Sequence, residues 1–110
     1  MFTLHLIKQA QKEILKMPTA LRESTFEALK QLEQQGNQLK EPHVRDMGDG
    51  LKELRASSKD GISRSFFFFH IGKQIYVIHA LHKKTQKTPK QDLDLAKQRM
   101  KAIKEQFNAK

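Results

Sequence analysis

The middle of the chain constrains the fold most, because three strand-like segments follow one another there with only short turns between them. These segments run from Leu51 to Ala56, from Ile62 to His70 and from Gln74 to Leu81. Asp60-Gly61 is a typical hairpin turn, and Ile71-Gly72-Lys73 is a second short connection. Connections this short join antiparallel neighbours, so the pattern predicts an antiparallel meander.

One strand and two helices are predicted before this meander. Phe2 to Ile7 is typical of a short strand, and apolar residues recur at helical spacing from Gln9 to Lys16 and from Thr19 to Gln35. Pro18 lies between the two helices and separates them. The stretch from Gln38 to Gly50 contains one proline and two glycines, so we expect it to be a loop.

The chain is predicted to end in an amphipathic helix. Thr88-Pro89 places a capping residue before a proline at the first helical position, and Gln91 completes a capping box. Apolar residues then follow at spacings of three and four, at Leu93, Ala96, Met100, Ile103 and Phe107. The predicted order is therefore β-α-α-β-β-β-α, an α+β fold with a mainly antiparallel sheet, in a single domain over residues 1–110.

The charge of the chain indicates an acidic or anionic partner. Lys and Arg number 21 against 12 Asp and Glu, which gives a formal net charge of +9. From His79 to the end there are nine basic residues and three acidic ones, so most of the excess lies in the last third. A field of this kind attracts polyanions such as nucleic acids, through neutralisation of phosphates and release of counterions.

Several classes of protein are disfavoured by the sequence. Cysteine is absent, which excludes disulfides and thiol chemistry. No apolar stretch approaches the roughly 20 residues of a membrane span, and the N-terminus becomes polar too soon for a secretory signal, so we expect a cytoplasmic protein that does not contact membranes. His79 and His82 lie three apart on a strand and should face opposite sides, and no metal-binding or phosphate-loop motif is present. We therefore expect neither a metal site nor a cofactor.

Two arginines on consecutive predicted strands are the first candidate site residues. In the second of these strands Arg64 shares a face with Ile62, Phe66 and Phe68. A guanidinium beside an apolar sheet surface needs water or a partner. Arg55 can lie next to Arg64 across the ladder if the register places both on one face. The alternative is that Arg55 forms a structural ion pair, with Glu53 or Asp60 as its partner.

The segment between the last strand and the last helix is rich in basic residues. It contains His82, Lys83, Lys84 and Lys87, which could surround one phosphate, although a solvated basic loop has the same composition. RNA carries its own nucleophile, the 2′-hydroxyl, so a ribonuclease of this kind needs no metal. It needs a proton acceptor, a proton donor and cations that stabilise the crowded phosphorane. Histidine, lysine and arginine together can supply these functions.

Three stretches of the sequence resemble motifs of the RelE/ParE superfamily of toxins. The segment Gly50 to Arg55 is similar to the G-L-x-E-L-R strand of these proteins. Gly61 to Arg64, followed by the aromatic run, resembles their G-x-x-R-x-x-(F/Y) strand. His82 to Pro89 is similar to the F-x-K-K-T-x-K-T-P signature of the HigB-like, phage-derived branch. Together these stretches and the two N-terminal helices extend the resemblance over nearly the whole chain.

The resemblance implies a function, a set of partners and a set of site residues. It implies the toxin of a type II toxin–antitoxin system, which cleaves mRNA on the ribosome without metal and so inhibits translation. The implied partner is a helix-turn-helix, HigA-like antitoxin, and DNA would be contacted only through the complex of the two. By position, Arg64 corresponds to the strand arginine that holds the scissile phosphate and Arg55 to the arginine of the E-L-R motif. Lys84 corresponds to the cation after the last strand, with Lys83 and Lys87 beside it.

The assignment of proton transfer and the choice of target stay open at this point. Glu53 stands where the best-studied branch has a catalytic lysine, and Tyr76 lies within a predicted strand, so that the C-terminal tyrosine of that branch has no counterpart. Of the two candidate histidines, we choose His82 over His79 as the proton carrier because it is closer to the basic segment. The alternatives to an mRNA nuclease are a ParE-like inhibitor of DNA gyrase and a catalytically silent protein that binds RNA or a partner.

Overall fold

A computed structural model describes residues 2–83 and 87–108 of the chain, with the backbone alone at position 83. The elements follow in the order β1 (Thr3–Leu6), α1 (Lys8–Leu15), α2 (Thr19–Gln35), β2 (Val44–Gly48), β3 (Leu51–Ser58), β4 (Gly61–His70), β5 (Gln74–Lys83) and α3 (Lys90–Asn108). A short 3₁₀ turn, Gly36–Gln38, follows α2. None of the helices within the described ranges is long and apolar enough to cross a membrane.

The strands form one five-stranded sheet in the order β1-β5-β4-β3-β2. The two hairpins β3–β4 and β4–β5 are antiparallel, which confirms the predicted meander and the α+β class. Strand β1 pairs in parallel with the first half of β5, from Thr3 opposite Gln74 to Leu6 opposite Val77. The second half of β5 therefore extends beyond β1, and helix α1 packs beside it.

Strand β2 lies within residues 38–50, where the sequence predicted a loop, so that prediction is wrong for Val44–Gly48. It pairs antiparallel with β3 at the edge of the sheet, with a shift of register between Asp46 and Gly48. Val44 is buried in the core, whereas the next two residues, Arg45 and Asp46, are exposed. The turn that follows has positive φ angles at Gly48, Asp49 and Gly50. The strand was missed because it is short and lies directly between residues that favour turns.

The boundaries of the last two elements also differ from the prediction. Strand β5 continues to Lys83, two residues further than expected, and α3 begins at Lys90, one residue later than expected. The carbonyl of Pro89 accepts the first helical hydrogen bond, from the amide of Leu93. The hydroxyl of Thr88 donates to the carboxylate of Glu53, a contact between distant parts of the chain that the capping pattern did not indicate.

The two faces of the sheet carry separate cores. Helices α1 and α2 cover one face, where Leu54, Phe67 and Val77 are buried against Ile14 and the leucines of α2. Helix α3 covers part of the other face, where its Ala96 and Met100 are buried with five sheet residues, Leu51, Phe66, Phe68, Ile78 and Leu81. Alternation along β4 thus sends consecutive phenylalanines to opposite cores. The apolar seam of α3 packs on the sheet, although Phe107 at its end is about one third exposed at 37%.

A β-bulge in β5 determines which of its side chains face α3. Opposite the step from Phe66 to Phe67, β5 has one extra residue, so that His79 lies opposite Phe66 and Val77 opposite Phe67. Ile78 is the inserted residue and belongs to the core under α3. His79 therefore lies on the α3 face of the sheet.

Candidate nucleic-acid interface

Two adjacent rows of side chains cross the α3 face of the sheet at the end that the helix leaves open. In the first row, Arg55 of β3 lies directly opposite Arg64 of β4. This confirms the prediction that the two arginines are neighbours across the ladder. His43 joins the same row just before β2, because its carbonyl accepts a hydrogen bond from the amide of Arg55 at 2.8 Å. In the second row Arg45 lies opposite Glu53.

These rows line a pocket of about 190 Å³, which we call the arginine pocket. Its walls are formed by Glu41, Pro42, His43, Arg45, Glu53, Arg55 and Arg64. Three arginines thus converge with two glutamates on one small concave surface. Because guanidinium groups match the geometry of phosphate oxygens, a pocket of this composition is suited to bind a phosphate group.

Arg64 is the most enclosed of the three arginines. Its side chain is 3% exposed and that of Glu53 is 2% exposed, and Nη1 of Arg64 donates to Oε1 of Glu53 at 2.7 Å. Burial of an arginine in a strand that is otherwise apolar is tolerated because this carboxylate compensates its charge. The pair fixes the guanidinium at the wall of the pocket.

Arg55 and Arg45 differ from Arg64 in exposure and in contacts. Arg55 is half-buried and Arg45 is exposed. Neither side chain forms a hydrogen bond or ion pair with any residue in the part of the chain that the structure describes. The structural alternative for Arg55, an ion pair with Glu53 or Asp60, is therefore not observed, since Glu53 pairs with Arg64. Both side chains present uncompensated positive charge at the pocket.

A family model described as "Phage derived protein Gp49-like (DUF891)" matches residues 12–101, which include every residue that lines the pocket. The chain belongs to the phage-derived Gp49-like family. That family is related to the RelE-type toxins. Comparison with curated proteins gives no match.

His82 of the Gp49-like protein does not share the face of the sheet that carries Arg64. It lies opposite Ser63, whose side chain contacts Thr25 of α2 on the other face. Its Nε2 donates to the carbonyl of Asp60 at 3.0 Å. The prediction that His82 joins the arginines is therefore wrong. Strand β5 stays regular from His79 to Lys83, so that His79 and His82 face opposite sides, as their spacing indicated.

His79 lies on the correct face but is enclosed by other charged groups. Its Nδ1 lies 3.0 Å from Oε1 of Glu13 in α1, and its Nε2 lies 2.9 Å from Oδ1 of Asp92 in α3. Arg99 of α3 donates from Nη1 to Glu13 at 3.1 Å and to the carbonyl of Ile78 at 2.9 Å. We call the four side chains Glu13, His79, Asp92 and Arg99 the β5 network.

Both ring nitrogens of His79 lie within hydrogen-bond distance of carboxylates, an arrangement that stabilises the charged form of the ring. Burial alone would lower the pKa of His79, but the hydrogen bonds to Glu13 and Asp92 outweigh burial and raise this pKa above its ordinary value. Burial would likewise raise the pKa of Glu13, but hydrogen bonds from His79, Arg99 and the amide of Ala80 lower it overall. A histidine that is 4% exposed and doubly paired in this way is poorly placed to exchange protons with a substrate.

The basic segment after β5 is only partly described. Lys83 is the last residue of β5 and lies opposite Ile62 in the ladder. Lys84 lies outside the described residues. Lys87 is exposed and directly precedes Thr88, whose hydroxyl donates to Oε2 of Glu53 at 2.5 Å. Through this contact the start of α3 is held against the arginine pocket.

His43 and Arg45 are pocket residues that the sequence reasoning missed. Both fall in or beside β2, which was expected to be loop, so no face could be assigned to them. The E-L-R strand could have located them. A further strand that pairs with it, on the side away from Arg64, places every second side chain on the same face of the sheet as Arg55. Within residues 2–83 and 87–108, no group of three or more His, Asp or Glu side chains is arranged to hold a metal ion.

Proposed function

We propose that this Gp49-like protein is the toxin of a type II toxin–antitoxin system, and that it binds mRNA on the ribosome and cleaves it without a metal ion. The observation that carries the proposal is the direct pairing of Arg55 with Arg64, with Arg45 in the next row, at an open pocket. The relation of the family to RelE-type toxins supports the same activity.

The three arginines differ in the roles that their environments favour. Arg64 is held in place by Glu53, so it can stabilise charge that develops on the phosphorane without first reorganising. Arg55 is partly accessible and has no partner among the described residues, which suits direct contact with the phosphate in the ground state. We expect Lys84 to assist one of them, with Lys83 and Lys87 binding flanking phosphates.

Proton transfer is assigned to His43 in this proposal. His82 lies on the opposite face and His79 is enclosed in the β5 network, whereas His43 is exposed and lines the pocket beside Arg55. Imidazole can accept and return a proton near neutral pH, which neither arginine nor an unperturbed lysine does. His43 would take the proton of the 2′-hydroxyl as the 2′-oxygen bonds to phosphorus. The bond from phosphorus to the 5′-oxygen then breaks, the 5′-oxygen takes up a proton from His43 or from water, and a 2′,3′-cyclic phosphate is left.

We propose a helix-turn-helix, HigA-like antitoxin as the partner, and contact with DNA only through the resulting complex. A chain with a formal charge of +9 should be held by an acidic or amphipathic segment that also covers the arginine pocket. The apolar seam of α3 is used largely in the core, so most of the contact should come from charge. If no acidic protein encoded beside the gene suppresses toxicity, this part of the proposal fails.

Induction of the chain in bacteria tests the proposed activity. The wild type should arrest growth and produce new 5′ ends within translated mRNAs, and Arg55→Ala should lose both effects. Arg22→Ala is a matched control, because Arg22 lies on α2 at the other face of the sheet, where its guanidinium donates to the carbonyl of Leu15 at 3.4 Å. Growth arrest with gyrase-linked DNA breaks and intact transcripts would replace the nuclease with a gyrase inhibitor. The absence of both arrest and cleavage would leave a silent binding protein.

A further inference from the structure

Glu53 is an acidic residue at the centre of a surface that is otherwise built to attract anions. Its side chain is 2% exposed, although a buried carboxylate costs free energy unless its lone pairs are satisfied. It lies in the middle of β3, opposite Phe66 on one side and Arg45 on the other. A carboxylate in this place also reduces the net charge of the pocket, so its presence calls for a physical explanation.

The contacts of Glu53 join two parts of the chain that are far apart in sequence. Oε1 accepts from Arg64 of β4 at 2.7 Å, and Oε2 accepts from the hydroxyl of Thr88 at 2.5 Å. Both oxygens of one buried carboxylate are thus used, one toward the sheet and one toward the segment that enters α3. Two charge-assisted hydrogen bonds of this kind are short and directional.

We propose that Glu53 is a positioning residue that holds the start of α3, and Lys87 with it, against Arg64. This inference rests on the proposed function, since the position matters only if the pocket binds RNA. Lys87 is bonded directly to Thr88, so the place of Thr88 sets how far Lys87 can lie from the pocket. Because Arg64 is held by the other oxygen, one carboxylate fixes the distance between two cations that contact the same nucleic-acid backbone.

Thr88 provides the variant that separates this role from folding. Thr88→Val keeps the shape of the side chain but removes its donor, and Thr88→Ser keeps the donor. Thr3→Val is the matched control, because Thr3 is exposed in β1, on the edge of the sheet opposite to β2. Glu53→Gln is a second variant, in which one of the two carboxylate oxygens becomes an NH2 donor, so that only one of the two present contacts can be kept.

Two measurements on each variant test the proposal. The first is amide hydrogen exchange over Lys87 to Leu93, which should be faster in Thr88→Val and Glu53→Gln and unchanged in Thr88→Ser and Thr3→Val. The second is the dissociation constant for a single-stranded 2′-O-methyl RNA, which cannot be cleaved through its 2′-oxygen. Loss of one hydrogen bond to a charged group should weaken binding about tenfold in Thr88→Val, with Thr88→Ser close to the wild type.

The outcomes distinguish this inference from the proposed function. If Thr88→Val exchanges at the wild-type rate, Glu53 does not hold the segment and the inference is overturned. If exchange becomes faster but RNA binds equally well, the contact is merely structural and the positioning role is also overturned. If the wild type binds the 2′-O-methyl RNA but cleaves no mRNA, the nuclease proposal fails while the binding comparison still decides the role of Glu53. A wild type that does not bind the free RNA at all would overturn the positioning role, while the mapping of mRNA ends in bacteria would still decide the nuclease proposal.

Discussion

Two polar clusters lie on the same face of the sheet, and they differ in how their charges are balanced. In the β5 network His79 lies between the carboxylates of Glu13 and Asp92, and Arg99 donates to Glu13, so that every member has a partner inside the network. The arginine pocket has three guanidinium groups, of which one is paired with a buried carboxylate and two have no partner among the described residues. A closed cluster stabilises the fold, whereas an open one is available to a ligand.

The closed cluster has a structural task that follows from the topology. Strand β1 ends at Leu6, so the second half of β5 has no strand neighbour on that side. There the carboxylate of Glu13 accepts from the amide of Ala80 at 3.0 Å, and Arg99 donates to the carbonyl of Ile78. The network thus satisfies backbone groups that the sheet leaves unpaired, and it connects α1 and α3 to β5. In the arginine pocket, by contrast, the side chains of Arg55 and Arg45 bind no backbone group of the described residues.

The largest expected effect is the loss of RNA cleavage when an arginine is removed from the arginine pocket. Arg55→Ala should reduce the rate of RNA cleavage by about 10²–10³, by analogy with loss of one oxyanion donor, and should leave the free energy of unfolding nearly unchanged. Arg64→Ala is a less clean variant because it leaves Glu53 buried without its cation, which should destabilise the fold as well. Single-turnover cleavage and urea unfolding of both variants measure these effects. An Arg55→Ala variant that cleaves normally would show that the open arginine is not part of the site.

The second prediction concerns the histidine at the pocket and the one on the opposite face. His43→Gln should reduce the rate of cleavage by about 10² and flatten the pH–rate profile near neutral pH. His82→Gln should retain the wild-type profile, because its ring donates to the carbonyl of Asp60 away from the arginines. Rates measured from pH 5 to 8 for both variants test this difference. The opposite result, a flat profile for His82→Gln alone, would restore the assignment made from sequence.

The third prediction concerns stability and comes from the closed cluster. Glu13→Gln should lower the free energy of unfolding by about 1–3 kcal/mol, since it removes charge-assisted bonds to His79 and Arg99. Glu27→Gln is a suitable control because Glu27 is exposed on α2. RNA cleavage by folded Glu13→Gln protein should be unchanged. If cleavage fell in proportion to stability, the separation of the two clusters would not hold.

The fourth prediction is that the closed cluster makes stability depend on pH in two directions. Since the pKa of His79 is raised, its contribution to stability is fully present below the ordinary histidine value and is lost as the pH rises through the folded pKa. The pKa of Glu13 is lowered, so its contribution is present above the ordinary carboxyl value and is lost as the pH falls through the folded pKa. Urea unfolding between pH 3 and 9 should show the decline on the alkaline side, and His79→Gln should abolish it.

The same comparison shows what sequence could and could not predict. The pairing of Arg55 with Arg64 was predictable because a short turn and the strict alternation of strands place both on one face. The place of His82 depended on whether β5 stays regular to Lys83, and that is a property of the pairing with β4, which distant residues determine. The β5 network joins Glu13, His79 and Arg99 across as many as 86 residues of sequence, so no local pattern indicates it.

The smallest expected effect distinguishes the exposed arginine of the open cluster from the half-buried one. Arg45 is exposed on the edge strand, so water screens its charge more strongly than that of Arg55. Arg45→Ala should weaken binding of single-stranded RNA only a few-fold. The slope of the logarithm of the association constant against the logarithm of the salt concentration should become shallower by about 0.7, as expected for loss of one phosphate contact on a single strand. Arg22→Ala on α2 should change neither quantity. Titrations of RNA binding between about 50 and 200 mM salt measure the slope, because affinity for nucleic acid falls strongly over this range. An unchanged slope for Arg45→Ala would restrict the RNA-binding surface to Arg55 and Arg64, whereas a larger loss of affinity than for Arg55→Ala would place the RNA on the edge strand instead.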